Sequence, residues 1–312
     1  MKRCLITYLP LIAGLEHYSP QGLRQLSPRL NFLKPFPYSA EAQRQEAMAR
    51  ATKLSIQGVQ PKLSATLSVA ENSFILVDKG GRFIVKPQHD HFPELPQNED
   101  VTMRLAAQCG IKVPVHGLLF CKDESLSYFI KRFDRIGSSG KIPTEDFAQL
   151  SHHNRDTKYN SSMEQVAKII QTYCTFPMVE SQKLLLRVLF CFIVGNEDMH
   201  LKNFSVISQD GKIELSPAYD LLNTTIIFPH GHEEIALPIR GKKNKLTKAD
   251  LLTYFGAEIL KLPDKIIQRT LTQLIQQMTK SLHLIDICFL SDSFKMLYKS
   301  IIQERINRLV ES

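Results

Sequence analysis

The sequence predicts an α+β fold in two parts, a β-rich N-terminal lobe over residues 1–133 and a mainly α-helical C-terminal lobe over residues 134–312. Three observations predict it. Short alternating or apolar runs bounded by turn residues fill the stretch from Leu63 to Arg132. Segments with helix-period apolar residues fill most of the stretch from Met163 to Val310. Between them, around Phe133 to Gly140, the run Gly137-Ser138-Ser139-Gly140 breaks both periodicities.

In chain order, residues 40–51, opened by Ser39 as a cap and rich in Ala, Glu, Gln and Arg, predict the first helix. Leu63–Val69, Ser73–Val77 and Arg82–Lys86 predict strands of a small antiparallel sheet, with Lys79-Gly80-Gly81 as a hairpin turn between the last two. Glu99–Cys109 has helical spacing and Gly110 as its stop. Leu118–Cys121 and Tyr128–Arg132 resume as strands around the polar turn Lys122-Asp123-Glu124-Ser125. Helices are then predicted over Met163–Tyr173, Ser181–Val194, Lys248–Phe255, Lys265–Ser281 and Asp292–Val310.

A chain of 312 residues can bury a substantial core, and 43% hydrophobic with 22% charged residues is ordinary globular usage, which excludes disordered and fibrous classes. The longest uninterrupted apolar stretch, Val188 to Val194, is bounded by Arg187 and falls far short of the ~20 residues a bilayer span requires. No membrane partner is expected. Lys2-Arg3 followed by Leu5 to Leu15 has the outline of a signal peptide, but Tyr8 and Pro10 interrupt it and no small-x-small site follows. Six cysteines without a C-x-x-C pair read as reduced, buried hydrophobes, so a cytoplasmic location is expected. The pairs His152/His153 and His230/His232 have no thiolate or carboxylate at ligand spacing and read as loop histidines. A net charge of +8 suits nucleic acid, an acidic partner or a polyanionic nucleotide and does not choose among them; the cluster Arg240 to Lys245 reads as a solvated loop.

The chemistry concentrates after the apolar run Leu184 to Val194, which predicts a buried helix delivering a loop. That loop is Gly195-Asn196-Glu197-Asp198-Met199-His200-Leu201-Lys202-Asn203-Phe204, followed by Ser216-Pro217-Ala218-Tyr219-Asp220. Asp198 and Asn203 are five positions apart, the spacing at which kinase catalytic loops place a base for the acceptor hydroxyl and an asparagine ligand of Mg²⁺. A further aspartate past a short hairpin completes the metal set, and a hard dication needs few protein ligands because water and phosphate supply the rest. Phe204–Ile207 and Lys212–Leu215 predict that hairpin around Gln209-Asp210-Gly211, returning Asp220 beside Asn203. Asp and Asn are also ordinary turn formers; the ordered elements upstream favour the chemical reading.

Those elements begin with Lys86, at the end of the strand Phe83-Ile84-Val85-Lys86, where a lysine can pair nucleotide phosphates once Glu99 on the next helix positions it. Ahead lies Ser55-Ile56-Gln57-Gly58-Val59-Gln60-Pro61-Lys62, which could cover phosphates with backbone N–H groups or be a plain turn; spacing does not choose. The segment Phe129-Ile130-Lys131-Arg132-Phe133-Asp134 would present main chain to adenine, with Lys131 and Phe133 contributing. The expected ATP-binding set is Lys86, Glu99, Gly58, Val59, Gln60, Lys62, Lys131, Phe133 and Lys202.

Taken in order, residues 55–62, Phe-Ile-Val-Lys-Pro at 83–87, Asn98-Glu99, Phe-Ile-Lys-Arg-Phe-Asp-Arg at 129–135, residues 195–204 and Pro-Ala-Tyr-Asp at 217–220 resemble the HipA-like kinases of bacterial toxin–antitoxin systems. The resemblance implies a bilobal protein-kinase-like fold and Mg-dependent transfer of the ATP γ-phosphoryl to serine or threonine of a protein, an aminoacyl-tRNA synthetase being the known target class. Translation arrest would follow. It further implies Asp198 as general base, Asn203 and Asp220 as Mg²⁺ ligands, His200 as a support of the catalytic loop, and Ser55 as the autophosphorylation site. A phosphoserine there would repel the site's own phosphates and disfavour the closed loop. Only 54 residues precede Ser55, so the chain looks like the short HipT branch, for which a HipS-like small protein and a HipB-like DNA-binding antitoxin are the expected partners, with DNA reached only through the latter. Gln57 stands where HipT relatives can carry a second serine.

Two other readings compete: a non-catalytic, nucleotide-gated subunit of a DNA-binding repressor complex, suggested by the +8 charge, and phosphoryl transfer to a lipid or small metabolite, since related folds host many acceptors.

Overall fold

The computed structural model describes residues 2–51, 60–137, 140–228 and 233–311. They divide into two compact units: Met1–Val101, Pro114–Ser139 and Ile287–Leu290 form one, and Thr102–Val113, Gly140–Asp286 and Ser291–Ser312 the other.

The first unit contains helices α1 (Pro20–Leu26) and α2 (Ala40–Ala51), strands β1 (Leu63–Ser68), β2 (Ser73–Leu76) and β3 (Phe83–Lys86), the beginning of α3 (Leu95–Gln108), strands β4 (His116–Phe120) and β5 (Leu126–Lys131), and the two-residue β6 (Arg135–Ile136). Strands β1 to β5 make one antiparallel sheet in the order β2-β1-β3-β5-β4. Phe74, Phe83 and Phe129, all buried, gather on it with ring centroids 5.0–6.1 Å apart; such pairs add ~0.5–1.5 kcal/mol each beyond their area. Helix α2 docks through fully buried Gln43, whose Oε1 accepts from Ser127 Oγ at 2.9 Å while its Nε2 donates to the Tyr38 carbonyl. Satisfying a buried amide at both ends avoids the penalty of an orphaned polar group.

The hairpin expected between β2 and β3 is not formed. The turn Lys79-Gly80-Gly81 does not close a hairpin, because β1 lies between β2 and β3. The chain instead crosses the end of β1, with Val77 N donating to Ser64 O and Arg82 N to Ala65 O. A Cβ at residue 81 would sit 1.9 Å from Ser64 Oγ and 3.1 Å from Ala65 N, so a side chain at this crossing would force Ser64 to move. The β4–β5 hairpin, by contrast, forms around the predicted polar turn, with Glu124 at φ +64°.

The second unit contains β7 (Gly140–Lys141), β8 (Thr144–Asp146), α4 (Phe147–Leu150), α5 (Met163–Tyr173), α6 (Pro177–Val194), β9 (Ser205–Gln209), β10 (Lys212–Leu215), α7 (Asp264–Ser281), α8 (His283–Ile287) and α9 (Asp292–Val310). Helix α6 is its centre, contacted by α5, α7 and α9. From Leu184 onward its residues are apolar on every side apart from Arg187, and Leu184, Leu185, Leu189, Phe190, Ile193 and Val194 have zero exposure, as a helix surrounded by others requires. Strands β10-β9-β8 form a three-stranded antiparallel sheet. The β9–β10 turn has Asp210 at φ +52° and Gly211 at φ +74°, the left-handed pair that the Asp-Gly dipeptide favours in a two-residue hairpin. The α-helix expected over Lys248–Phe255 is instead a π-helix that runs over Ala249–Ile259. All six cysteines are buried and unbridged, and no helix among the described residues is long and apolar enough to cross a membrane.

Candidate active site

Helix α6 ends where the sequence stops being apolar. Gly195 follows it at φ +70°, a left-handed cap whose N–H returns to the last turn. Its carbonyl accepts from the backbone N–H of both Thr224 and Thr225 and from the Thr224 hydroxyl, at 2.9–3.2 Å. Glu197 N donates to Thr224 Oγ1 at 2.7 Å, and Thr225 Oγ1 donates to Glu197 Oε1 at 2.8 Å. The loop that begins at Gly195 is therefore strapped to the residues just beyond Asp220.

Within the loop every backbone group of Asp198 is engaged. Its N–H donates to Asn196 Oδ1 at 3.1 Å, and its carbonyl accepts from His200 N at 2.9 Å and from Asn203 Nδ2 at 2.8 Å. The five-residue spacing thus has a local cause: one turn of 3₁₀-helix, Leu201–Asn203, brings the amide of residue 203 back onto the carbonyl of residue 198. Asn203 is 5% exposed. With its nitrogen spent on that bond, its carbonyl oxygen is the group left to offer a cation.

Asp220 returns by the hairpin. Ser216 N donates to Ser205 O at 2.8 Å, Tyr219 shares a 2.5 Å hydroxyl–hydroxyl bond with Ser205, and Tyr219 Oη donates to the Lys202 carbonyl at 3.0 Å. The segment ending at Asp220 therefore lies along Lys202 to Ser205. Asp220 itself has φ +54°, a left-handed conformation tolerated by aspartate. Helix α6 supports this segment from below: Glu180 Oε2 accepts from Leu215 N at 2.9 Å, and buried Arg187 donates from Nη2 to Ser216 O at 2.7 Å. Burial pulls the Arg187 guanidinium down to about 10.

His200, 5% exposed, lies within the field of both carboxylates. Burial lowers its proton affinity, Lys158 adds to that, and the charges of Asp198 and Asp220 oppose it. The imidazole is thus the neutral filler beneath two acidic groups. Among the described residues no three His, Cys, Asp or Glu side chains gather as a metal cage. The oxygen set on offer, an aspartate carboxylate and an asparagine carbonyl, fits Mg²⁺, which retains waters and phosphate oxygens.

In the other unit Lys86 Nζ meets Glu99 Oε1 at 2.5 Å, with side-chain exposures of 2% and 0%, and stands 5.5 Å from the Tyr128 ring centroid. Register explains the placement: Lys86 ends β3 opposite Tyr128 of β5. After β5, Arg132 grips Asp134 with two bonds of 2.9 and 2.7 Å, and Arg135 reaches the same carboxylate. Burial works to raise the Asp134 carboxyl, but the two arginines hold it below the ordinary aspartate range. This clamp shapes the turn that carries half-buried Lys131 and Phe133. Gln60 and Lys62 are half-buried ahead of β1, whereas Ser55, Gly58 and Val59 lie outside the described residues. Lys202 is paired with Asp146 at 2.8 Å.

Sequence reading missed three contributors. Asp146 caps α4 with a capping box while binding Lys202; the pattern Asp146-Phe-Ala-Gln149 signals that box. Arg187, a lone charge within an apolar helix, was visible as an anomaly. Tyr159, whose hydroxyl donates to Asp198 Oδ1 at 2.5 Å, stands in the polar loop before α5, and nothing in the sequence pairs it with residue 198.

The family model describing the HipA-like C-terminal domain matches residues 54–282, and the chain belongs to that family. It is 27% identical over 309 residues to a Haemophilus influenzae protein named "Putative kinase", covering 90% of this chain and 89% of that one. It is 25% identical over 257 residues to the serine/threonine-protein kinase toxin HipA of Shewanella oneidensis, covering 74% of this chain but only 57% of that protein. The fold matches the structure of Shewanella oneidensis HipA solved with HipB and operator DNA, at TM-score 0.71 and 22% identity over 90% of this chain and 73% of that one. A Helicobacter pylori proinflammatory kinase, CtkA, matches at TM-score 0.55 and 16% identity over 79% and 90% of the respective chains. The chain therefore has a HipA-like, mixed α/β kinase fold.

Proposed function

We propose that this chain is an ATP- and Mg-dependent serine/threonine protein kinase acting as the toxin of a toxin–antitoxin pair. One observation carries the reading: the Asn203 amide donates to the Asp198 carbonyl at 2.8 Å, turning a carboxylate and an amide oxygen into the same loop onto which the Asp220 segment folds. In this role Asp198 accepts the proton of the acceptor hydroxyl while that oxygen bonds to the γ-phosphorus and the bridging bond to the β-phosphate breaks, releasing ADP. Asn203 and Asp220 would hold Mg²⁺, which when bound offsets negative charge on the phosphates. Lys86, oriented by Glu99, pairs phosphate oxygens, while Gly58, Val59, Gln60, Lys62, Lys131, Phe133 and Lys202 are the further nucleotide contacts. His200 supports the loop, and Ser55 is the autophosphorylation site.

Family membership supports a protein acceptor, with an aminoacyl-tRNA synthetase as first choice, and a HipB-like antitoxin as the partner through which DNA is reached. The complex seen for the Shewanella oneidensis relative motivates that last assignment. Incubating the purified chain with Mg²⁺ and radiolabelled ATP tests the reading. Asp198→Asn should lower phosphoryl transfer by roughly 10²–10⁴-fold without loss of folding. Label undiminished in that variant, or identical rates with and without Mg²⁺, would defeat it.

A further inference from the structure

Resting on the reading of Asp198 as the base, we propose that Tyr159 is a positioning residue that fixes which oxygen of Asp198 meets the acceptor hydroxyl. The backbone of Asp198 is fully tied, but a carboxylate still rotates about its own side-chain torsions. Tyr159 Oη donates to Oδ1 at 2.5 Å and so stops that rotation, leaving Oδ2 as the oxygen with no hydrogen-bond partner among the described residues. A base that is itself held by a third group is the arrangement that oriented catalysis requires.

The tyrosine is in turn held at three points. Its ring meets the His200 ring edge-on at 4.9 Å and 83°. The carbonyl of Lys158 accepts from Leu201 N, fastening the neighbouring backbone to the same catalytic loop. Across the base of the segment, His153 Nε2 lies 2.9 Å from the Asn160 carbonyl, and the Asn154 side chain accepts from Asp156 N, Thr157 N and Thr157 Oγ1. These bonds make residues 153–160 a fixed bracket, and they argue against a tyrosine that merely rests in the acceptor's place and lifts away. The face remains reachable, since Tyr159 is 40% exposed. Burial and the adjacent carboxylate both raise the phenol's proton affinity, which keeps it a donor throughout the physiological range.

The test is Tyr159→Phe, which removes the hydroxyl and keeps the ring on His200. Using the full chain, labelled MgATP and dephosphorylated casein, transfer to casein and to the chain itself would be followed over a range of ATP concentrations, beside wild type and Asp198→Asn. Misplacing a reacting group by about 1 Å costs up to ~10²-fold. Tyr159→Phe should therefore lower the maximal rate roughly 10–100-fold, with KM for ATP within about twofold of wild type and an unchanged Tm. An unchanged maximal rate overturns the proposal, and so does a raised one, which would make the phenol an obstacle to the acceptor. Loss of transfer in Asp198→Asn together with either result leaves the kinase reading standing and removes only Tyr159. Transfer that survives Asp198→Asn, or none in wild type, overturns both.

Discussion

Lys86 and Glu99 form an ion pair shielded almost completely from water. Two charges withdrawn from solvent gain little net stability from each other, because desolvation offsets their attraction, yet each is expensive without the other. Glu99→Ala should therefore cost ~3–5 kcal/mol in urea unfolding. The double variant Lys86→Met with Glu99→Leu should recover most of that loss while abolishing ATP binding, measured by calorimetry. A double variant as unstable as Glu99→Ala would mean that the pair is a scaffold element rather than a site kept for binding phosphate. The pair was legible in the sequence because a lysine ending a strand and a glutamate on the next helix are both conspicuous. Tyr159 was not, since a hydrogen bond spanning 39 positions between two loops leaves no periodic trace.

At the scale of elements, one glycine decides how the Gly195–Phe204 loop leaves its helix. Gly195 combines φ +70° with no space for a side chain, because a Cβ there would fall 2.6 Å from Thr225 Oγ1 and 3.0 Å from Asn223 Oδ1. Gly195→Ala should thus cost more than the ~1–2 kcal/mol of a left-handed alanine alone. Since Thr225 Oγ1 belongs to the strap across Gly195 and Glu197, activity should fall with stability. Differential unfolding of this variant beside Gly211→Ala, which shares the positive φ but has open space, separates the two contributions; equal losses would show that the strap is irrelevant. Helix α5, whose apolar residues keep one helical period, matches its expected bounds to the residue, as does α9, and the β9–β10 turn follows from Asp-Gly. The failures were topological or short. Nothing local in Lys79-Gly80-Gly81 reports that β1 will intervene between the strands it joins, and α1, α4 and α8, at seven, four and five residues, are too brief for helical spacing to register.

Charge placement is a property of the whole molecule, and here it sets the response to acid. Several carboxylates are held below their ordinary range although burial works against them: Asp134 by Arg132 and Arg135, Glu234 by Arg308 with help from Arg305, and Asp250 by Thr247 and Lys242. A group whose folded proton affinity is depressed contributes stability that is complete above its unfolded value and vanishes as pH falls toward its folded one. Glu197 runs the other way, since burial raises it, so its ionisation slightly opposes folding near neutrality. Asp90, Asp123 and Glu164 are depressed as well, so with depressed carboxylates outnumbering the raised one, stability should hold from pH 7 to about 5 and fall steeply below about 4, where unfolded aspartate and glutamate take up protons. Arg308→Met is the discriminating variant. Arg308 grips Glu234 at 2.7 Å from Nη1 and binds the Leu246 carbonyl at 2.6 Å, so its removal should lower the urea midpoint at pH 7 more than at pH 3. A loss of equal size at both pH values would show that the guanidinium stabilises by packing on Phe192 and by its carbonyl bond, and that the carboxylate it neutralises contributes nothing to the acid limb.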